Sequence, residues 1–300
     1  MLESNVKDWN GVTGGGTLGQ KALLLLFHFT NVTVGYVFLA AVVPFYMLFG
    51  RKGYLAIYGY FRKRLCYSSI KSFFKTYVNH FIFGQCMLDR FSVFAGKKNF
   101  FKMKITGNEE FYRLLEEEKG FIIASSHIGN FELCGYLLKQ EKKRINALAF
   151  GGETKEIMKN RAKWFTVNNI NVIPVFEDMS HIFALNKALI NGEIVSMSCD
   201  RNFGGGKSVE CDFLSGKVDF PIGTFTLATH FDVSVLSVFV LKESVSNYHV
   251  YVKTISLSDD NANVSKREKA ELLTREFVKE LEVMVRKYPE QWFNFYEFWK

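Results

Sequence analysis

The sequence has few cysteines, and they follow no pattern. Five cysteines are scattered over 300 residues, and no two of them form a Cys-x-x-Cys pair. This usage argues against a disulfide framework and against a zinc site, and it favours a reducing compartment. The length and the 48% hydrophobic content are enough for one large core or two modest ones. We therefore expect no structural metal.

Charged residues are absent from residues 22–50. This run exceeds the roughly 20 residues that a membrane span requires, so it predicts a helical membrane anchor. A helical hairpin or a buried core helix is the alternative, because the polar residues between His28 and Asn31, and also Pro44, could interrupt a helix. Residues 1–20 are polar and glycine-rich and lack the basic start of a signal peptide. They are expected to form a polar arm.

Acidic residues are almost absent from residues 51–104, where twelve Lys and Arg accompany the single acid Asp89. The positive-inside rule places this segment, and the chain after it, on the cytoplasmic side of the membrane. Its basic, Phe- and Tyr-rich helical pattern predicts a segment lying in the membrane interface, with a solvated helix face as the alternative. No nucleic-acid-binding motif accompanies the charge, so nucleic acid is not an expected partner.

A short apolar run, residues 121–124, predicts a buried strand that leads through a polar loop into a helix from Phe131. Asn130 is a candidate N-cap. The loop and the first helical turn carry His127 and Glu132. A carboxylate on one ring nitrogen fixes the tautomer and leaves the other nitrogen free to accept a proton. No Gly-x-Ser-x-Gly elbow is present, so direct deprotonation of a substrate hydroxyl or amine is the simpler hypothesis.

Further strands are predicted at residues 145–150, 171–176 and 193–198, with helices between them. This alternation is typical of an α/β fold with a mixed, partly parallel sheet flanked by helices. Residues 233–241 and 248–255 predict a hairpin-like pair, and residues 266–287 an amphipathic helix. Asp200 and Arg201 follow a core strand, as His127 does, so the two motifs should converge at one sheet edge. The segment Phe203–Lys207 lacks nucleotide P-loop spacing and is expected to be a flexible substrate loop.

The block SSHIGNFEL resembles the His-x4-acid motif of glycerophospholipid-type acyltransferases, in the form found in bacterial lipid A late acyltransferases. The resemblance covers about residues 105–300. Downstream, Arg161 occupies the place of a substrate-binding basic residue, and the segment from Asp200 to Gly204, including Phe203, resembles the Asp-x-x-x-Gly block. Residues 213–216 and 221–223 resemble the next block, and residues 288–292 the closing Pro-x-Gln-Trp segment.

The resemblance implies an O- or N-acyltransferase at the inner membrane that takes an acyl group from acyl carrier protein or coenzyme A. Such an enzyme would require no cofactor besides that co-substrate. His127 and Glu132 would be catalytic, while substrate would be bound by Asn130, Arg161, Asp200, Arg201, Phe203 and Gly204. The expected domains are a polar arm (1–20), a helical and basic membrane segment (21–104) and an α/β acyltransferase domain (105–300).

The sequence leaves several candidates for the acceptor of the acyl group. Asn294 and Glu297 stand where the family usually has basic residues among its closing aromatics, so the acceptor could be lipid A-like, an aminoacyl lipid or an aryl-polyene-type pigment. Two hypotheses from other classes also remain. A hydrolase would use Ser125 or Ser126 with His127 as a nucleophile pair, and a membrane scaffold would need no catalytic residue.

Overall fold

The structure is a computed structural model, and it describes residues 16–137, 141–150, 165–175, 180–201, 206–257 and 264–299. The strands are β1 Lys102–Thr106, β2 Phe121–Ser125, β3 Ile145–Phe150, β4 Ile170–Val175, β5 Ile194–Ser198, β6 Ser208–Phe213, β7 Gly216–Pro221, β8 Val235–Lys242 and β9 Asn247–Ile255. The α-helices are α1 Gly16–Phe29, α2 Val32–Phe49, α3 Arg51–Gly59, α4 Ser69–Phe94, α5 Asn108–Glu116, α6 Phe131–Leu137, α7 Ser180–Ile190, α8 Gly223–Phe231 and α9 Lys266–Lys287. A π-helical turn, Tyr60–Arg64, extends α3, and Lys98–Phe100 and Pro289–Gln291 are short 3-10 helices.

Seven strands form one mixed sheet in the order β1-β9-β8-β2-β5-β3-β4. Strands β8, β2, β5, β3 and β4 run parallel to one another, whereas β9 is antiparallel to β8. The parallel strands are short apolar runs because both faces of the sheet are covered, and β2 is buried along most of its length. This α/β fold with a mixed, mostly parallel sheet confirms the fold class expected from the sequence.

The charge-free run does not form one continuous helix. It is divided between α1 and α2 by a break at Thr30 and Asn31. The Asn31 side chain caps α2 by accepting a hydrogen bond from the Thr33 N–H at 2.9 Å, which satisfies one of the free donors at a helix start. Of the helices that the structure describes, only α2 is long and apolar enough to be a candidate membrane span.

Helix α4 connects the N-terminal helices to the sheet. On one side it packs antiparallel against α2: Tyr36 contacts Asp89 near one end, and the Tyr77 hydroxyl donates to the Ala40 carbonyl at 3.0 Å nearer the other. The same Asp89 carboxylate also pairs with Lys242 of β8 at 2.7 Å. Helix α4 therefore contacts both α2 and the main sheet.

A two-stranded antiparallel hairpin, β6 and β7, lies outside the main sheet. Residues 208–213 alternate between exposed and buried positions, as a half-buried strand does. These two strands were not predicted from the sequence. The turn between them is formed by Leu214 and Ser215, which both have positive φ, at 48° and 59°. Because neither is Gly, Asn or Asp, the usual sequence signal for such a turn is missing.

Candidate active site

The loop that carries His127 lies at the carboxyl edge of the parallel strands. Strands β2 and β5 are neighbours, with Ser125 opposite Ser198 at their ends. The register continues one residue further, because the Cys199 N–H donates to the Ser125 carbonyl at 2.8 Å. The residues after these strands are therefore brought together, and the predicted convergence of the two motifs is confirmed for His127 and Asp200.

Asp200 holds His127 through both of its carboxylate oxygens. The imidazole Nδ1 lies 2.8 Å from Asp200 Oδ1, and the His127 backbone N–H donates to Oδ2 at 2.9 Å. Asp200 is 3% exposed, whereas 24% of the His127 side chain is exposed. One face of the ring is thus fixed by a buried acid while the rest of the ring can meet a substrate.

The protonation state of Asp200 determines the tautomer of His127. Burial alone would raise the pKa of Asp200, but the charge and hydrogen bonds of His127, together with nearby Arg201, hold that pKa below its ordinary value. An ionised carboxylate can only accept, so Nδ1 must carry the proton. The neutral imidazole then has its lone pair on Nε2, the arrangement that a general base needs.

Glu132 does not take the place that the sequence analysis gave it on the His127 ring. Its carboxylate accepts hydrogen bonds from Arg90 of α4 and from the Tyr136 hydroxyl. The reason is geometric: Glu132 lies in the first turn of α6, and it is directed towards α4 rather than back to the loop. The expected pairing is therefore wrong, and Asp200 is the acid on Nδ1.

Asn130 is a fully buried link within the protein. Its Oδ1 accepts from Arg90 Nε at 3.0 Å, and its Nδ2 donates to the Cys86 carbonyl and to the Tyr248 hydroxyl, each at 3.2 Å. Its backbone N–H donates to the Val240 carbonyl at 2.7 Å. These contacts position the loop, and the amide donors that a substrate could use are already engaged.

Arg201 lies beside the site and is partly engaged. Its Nη2 donates to the Phe293 carbonyl at 2.8 Å, and its guanidinium lies 5.6 Å from the centre of the Tyr296 ring. Its Nε is buried and has no hydrogen-bond partner among the described residues. The three other expected substrate residues, Arg161, Phe203 and Gly204, lie outside the described residues.

A buried polar network supports the loop and was not anticipated from the sequence. Asp89, Lys242, Tyr36 and Tyr248 share hydrogen bonds, with the Lys242 ammonium 2.7 Å from Asp89 and 3.4 Å from the Tyr248 hydroxyl. All four are at least 90% buried. The sequence held one signal for it: Asp89 is the only acid in a segment with twelve cations, and a lone buried acid requires a positive partner.

The two serines of the loop are not arranged as nucleophiles. The Ser125 hydroxyl donates to the Met197 carbonyl at 3.2 Å. The Ser126 hydroxyl is buried and has no hydrogen-bond partner within the described part of the chain. Neither hydroxyl is hydrogen-bonded to His127, as a Ser–His nucleophile pair would be. Within the same residues, no cluster of three or more His, Cys, Asp and Glu side chains could hold a metal ion.

Comparison with known proteins assigns the chain to a family. The model of the family "Bacterial lipid A biosynthesis acyltransferase" matches residues 73–300, which is more than half of the chain. The chain belongs to this family. A comparison with curated proteins found no match. Among solved structures, the chain is similar to the 1-acyl-sn-glycerophosphate acyltransferase PlsC from Thermotoga maritima, with 14% identity, a TM-score of 0.36, and coverage of 87% of this chain and 97% of that chain.

Family membership identifies the protein as an acyltransferase. The family match includes His127, Asn130, Glu132, Asp200 and Arg201, which all lie between residues 73 and 300. It begins inside α4, so α1 and α2 lie outside it. Membership of a lipid-modifying family, together with the apolar helix α2, indicates that the protein associates with a membrane.

Proposed function

We propose that the protein transfers a fatty acyl group from an acyl thioester to a hydroxyl or amine of an amphiphilic acceptor, with His127 as the general base. His127 Nε2 removes the acceptor proton, and the acceptor oxygen or nitrogen forms a bond with the thioester carbonyl carbon. The carbon–sulfur bond then breaks, and the imidazolium returns the proton to the leaving thiolate. Asp200 stabilises the transient imidazolium. The observation that carries this proposal is the bond between Nδ1 and the buried Asp200 carboxylate at 2.8 Å.

The proposed donor is chosen from the charge of the N-terminal region, and the proposed acceptor from the residues of the closing aromatic segment. An acidic acyl carrier protein suits the basic N-terminal region, and coenzyme A is the alternative donor. Arg201 has a buried Nε without a hydrogen-bond partner among the described residues, and it is proposed to bind an anionic group of donor or acceptor, together with Arg161. Asn294 and Glu297 stand among the closing aromatics in place of basic residues. An acceptor less anionic than lipid A, such as an aminoacyl lipid or an aryl-polyene-type pigment, would fit that difference.

The test is acyl transfer by purified protein in detergent micelles with acyl carrier protein and coenzyme A thioesters, against an acceptor extract from the native membrane. His127→Ala should lower turnover by at least about 10² because the general base is lost. The control is His230→Ala, which replaces an exposed histidine on α8 and should leave turnover unchanged. If His127→Ala kept more than a tenth of wild-type turnover, a different base would have to act.

We also propose how the protein binds the cytoplasmic face of the inner membrane. Buried positions recur along the whole length of α2, from Val32 through Tyr36 and Val43 to Met47. A helix that crosses a bilayer in this orientation would carry α4, which packs against it, into the hydrocarbon. With α4 would go Asp89, Arg90 and the edge of the sheet, at a large desolvation cost. Helix α2 therefore lies along the membrane with one face in a single leaflet.

The outward side of the N-terminal helices has the chemistry that this placement needs. Apolar side chains are exposed there on two neighbouring helices: Val37, Phe38, Val42, Phe45, Leu48 and Phe49 on α2, and Ile70, Phe73 and Phe74 on α4. Basic residues accompany them, with Arg51, Lys52, Arg62, Lys63 and Lys71 all exposed. An apolar face bordered by cations matches the interface of an anionic leaflet.

The two membrane arrangements differ in where the N-terminus lies. If α2 lies in one leaflet, a cysteine placed in residues 1–15 of a cysteine-free protein should be on the cytoplasmic side. A membrane-impermeant maleimide should label it in inside-out vesicles and not in right-side-out vesicles. Lys253→Cys, on an exposed strand position of the catalytic domain, is the control. Opposite labelling of the two positions would show that α2 spans the membrane.

A further inference from the structure

We propose that Gln291 is a positioning residue for the catalytic loop, acting through the C-terminal strap, which we define as residues 289–293. The inference rests on the proposed function, because it concerns the geometry of His127. The strap contains the Pro-x-Gln-Trp residues to which the proposed reaction gives no role. Its position in the fold gives it one, since it forms one wall of the loop.

The strap pairs with the loop through its main chain. The Gly129 N–H donates to the Gln291 carbonyl at 2.8 Å, and the Phe293 N–H donates to the His127 carbonyl at 2.9 Å. Between these bonds, Ile128 and Trp292 are paired as in an antiparallel ladder. The backbone of the proposed base is thus hydrogen-bonded on both sides: its N–H to Asp200 and its carbonyl to the strap.

The Gln291 side chain fastens the strap to the sheet. Its Oε1 accepts from the Lys242 backbone N–H at 2.8 Å, and its Nε2 donates to the Lys242 carbonyl at 2.7 Å. Gln291 is 4% exposed. This one residue therefore connects the end of β8 through its side chain with the loop through its carbonyl. Two buried bonds of this kind also hold the amide plane in one orientation.

The loop that carries His127 is packed between β8 and the strap, so a displacement of the strap would also displace the loop. Gly129 has φ of +67°, and a Cβ there would lie 2.0 Å from the Val240 carbonyl oxygen. Only glycine fits this approach to β8. The loop is thus held between β8 on one side and the strap on the other. If the strap is displaced, the His127 carbonyl loses its hydrogen-bond donor, the Phe293 N–H. The backbone of His127 is then no longer fixed, and its imidazole can shift relative to Asp200.

The other side of the strap is attached to the membrane-facing helices. Asn79 of α4 donates through Nδ2 to the carbonyls of Glu290 and Trp292, at 3.0 and 2.9 Å. The Tyr60 hydroxyl donates to the Pro289 carbonyl at 3.2 Å. The strap is therefore fixed by α4, by β8 and by the loop, and Gln291 is the strap residue that contacts both β8 and the loop.

The experiment compares two buried amides that differ in their distance from the loop. Gln291→Met keeps the size of the side chain and removes both bonds to Lys242. The control is Asn146→Leu: Asn146 is 3% exposed, its Nδ2 donates to Glu193 and Ile194, and it lies at the amino edge of the sheet, away from His127. Both variants should lower the melting temperature. Only Gln291→Met should lower kcat, by about tenfold or more, because small misplacements of a reacting group are costly.

Amide hydrogen exchange of the full-length protein supplies a readout independent of turnover. The peptide containing Gly129 should exchange faster in Gln291→Met and remain unchanged in Asn146→Leu. If Gln291→Met does not fold, Gln291→Asn serves instead, since it keeps a neutral amide that is one methylene too short to make both bonds to Lys242. KM for both substrates should change less than kcat, because the Gln291 side chain holds the loop of the proposed base, whereas the proposed substrate anchor Arg201 is held by the Phe293 carbonyl.

The outcomes separate this inference from the proposed function. An inactive His127→Ala variant combined with equal kcat and equal exchange in the Gln291 and Asn146 variants would overturn the role of Gln291 and leave the base in place. An active His127→Ala variant would overturn the proposed base. Faster exchange at Gly129 without any loss of kcat would show that the strap is structural only, and it would overturn the inference as well.

Discussion

The catalytic loop has two flanks, and each contains a carboxylate that could serve His127. On the β5 flank, Asp200 contacts the imidazole and the backbone of His127. On the α4 flank, Glu132 contacts Arg90 and Tyr136. In the proposed reaction, the first flank sets the protonation of the base, and the second sets the position of the loop. Sequence proximity favoured Glu132, whereas the register of two neighbouring strands brings Asp200 to the ring.

The largest effect should come from Asp200→Asn. Both Asp200 oxygens accept hydrogen bonds, one from the His127 N–H and one from Nδ1–H. An amide has only one oxygen, so if that oxygen keeps the backbone bond, the amide NH2 faces Nδ1 and moves the ring proton to Nε2. The base is then in the wrong tautomer, and kcat should fall by about 10³ to 10⁴. Steady-state kinetics of the folded variant provide the check, and a loss below about tenfold would contradict the assignment.

Glu132→Gln should have a smaller effect on turnover. The amide can still accept from Arg90, but the charge that balances this partly buried guanidinium is lost. The expected cost is about 1–3 kcal/mol of unfolding free energy and about a tenfold loss of kcat through displacement of the loop. Denaturant unfolding and kinetics should be measured together. A kcat loss as large as that of Asp200→Asn would instead place Glu132 in the reaction.

The stability contributed by Asp200 should depend on pH in a defined direction. Its pKa in the folded protein is below the ordinary value of about 4. The contribution is therefore fully present above the unfolded-state pKa and is lost as the pH falls through the folded-state pKa. The difference in unfolding free energy between wild type and Asp200→Asn should thus shrink as the pH falls below about pH 4. A difference that grew below about pH 4 would contradict the lowered pKa.

The smallest effects should come from the loop serines. Ser125→Ala removes one bond to the Met197 carbonyl, and Ser126→Ala removes a hydroxyl that has no hydrogen-bond partner among the described residues. Turnover should stay within about threefold of wild type in both, and a serine-reactive probe should not label the protein. Inactivation of either variant, with labelling of wild type at that serine, would favour the hydrolase hypothesis.

Much of the fold follows from local patterns in the sequence. The apolar runs predicted β2, β3, β4 and β5, and the helical periodicity predicted α9 at residues 266–287 as the structure has it. Strand β1 was missed because its five residues alternate Lys with apolar side chains in a region dominated by positive charge. The hairpin β6–β7 was missed because its turn lacks the usual turn residues.

Only those features of the site that depend on where the parallel strands end could be predicted from the sequence. The convergence of His127 and Asp200 followed from parallel strands, but the choice between Asp200 and Glu132 depends on the direction of each side chain, which spacing does not encode. Arg90 and Lys242 act through partners about 40 and 150 residues away in sequence. Such contacts are products of the packed structure, and periodicity within one element does not contain them.

The most direct test of the account is the tautomer of His127, measured by nitrogen NMR of protein labelled at histidine ring nitrogens, with His127→Ala used to assign the signals. At a pH where the ring is neutral, wild type and Glu132→Gln should both have the proton on Nδ1 and a lone pair on Nε2. Asp200→Asn should lose this state. If instead Glu132→Gln changed the tautomer and Asp200→Asn did not, Glu132 would be the acid that orients the base, and the account would be wrong.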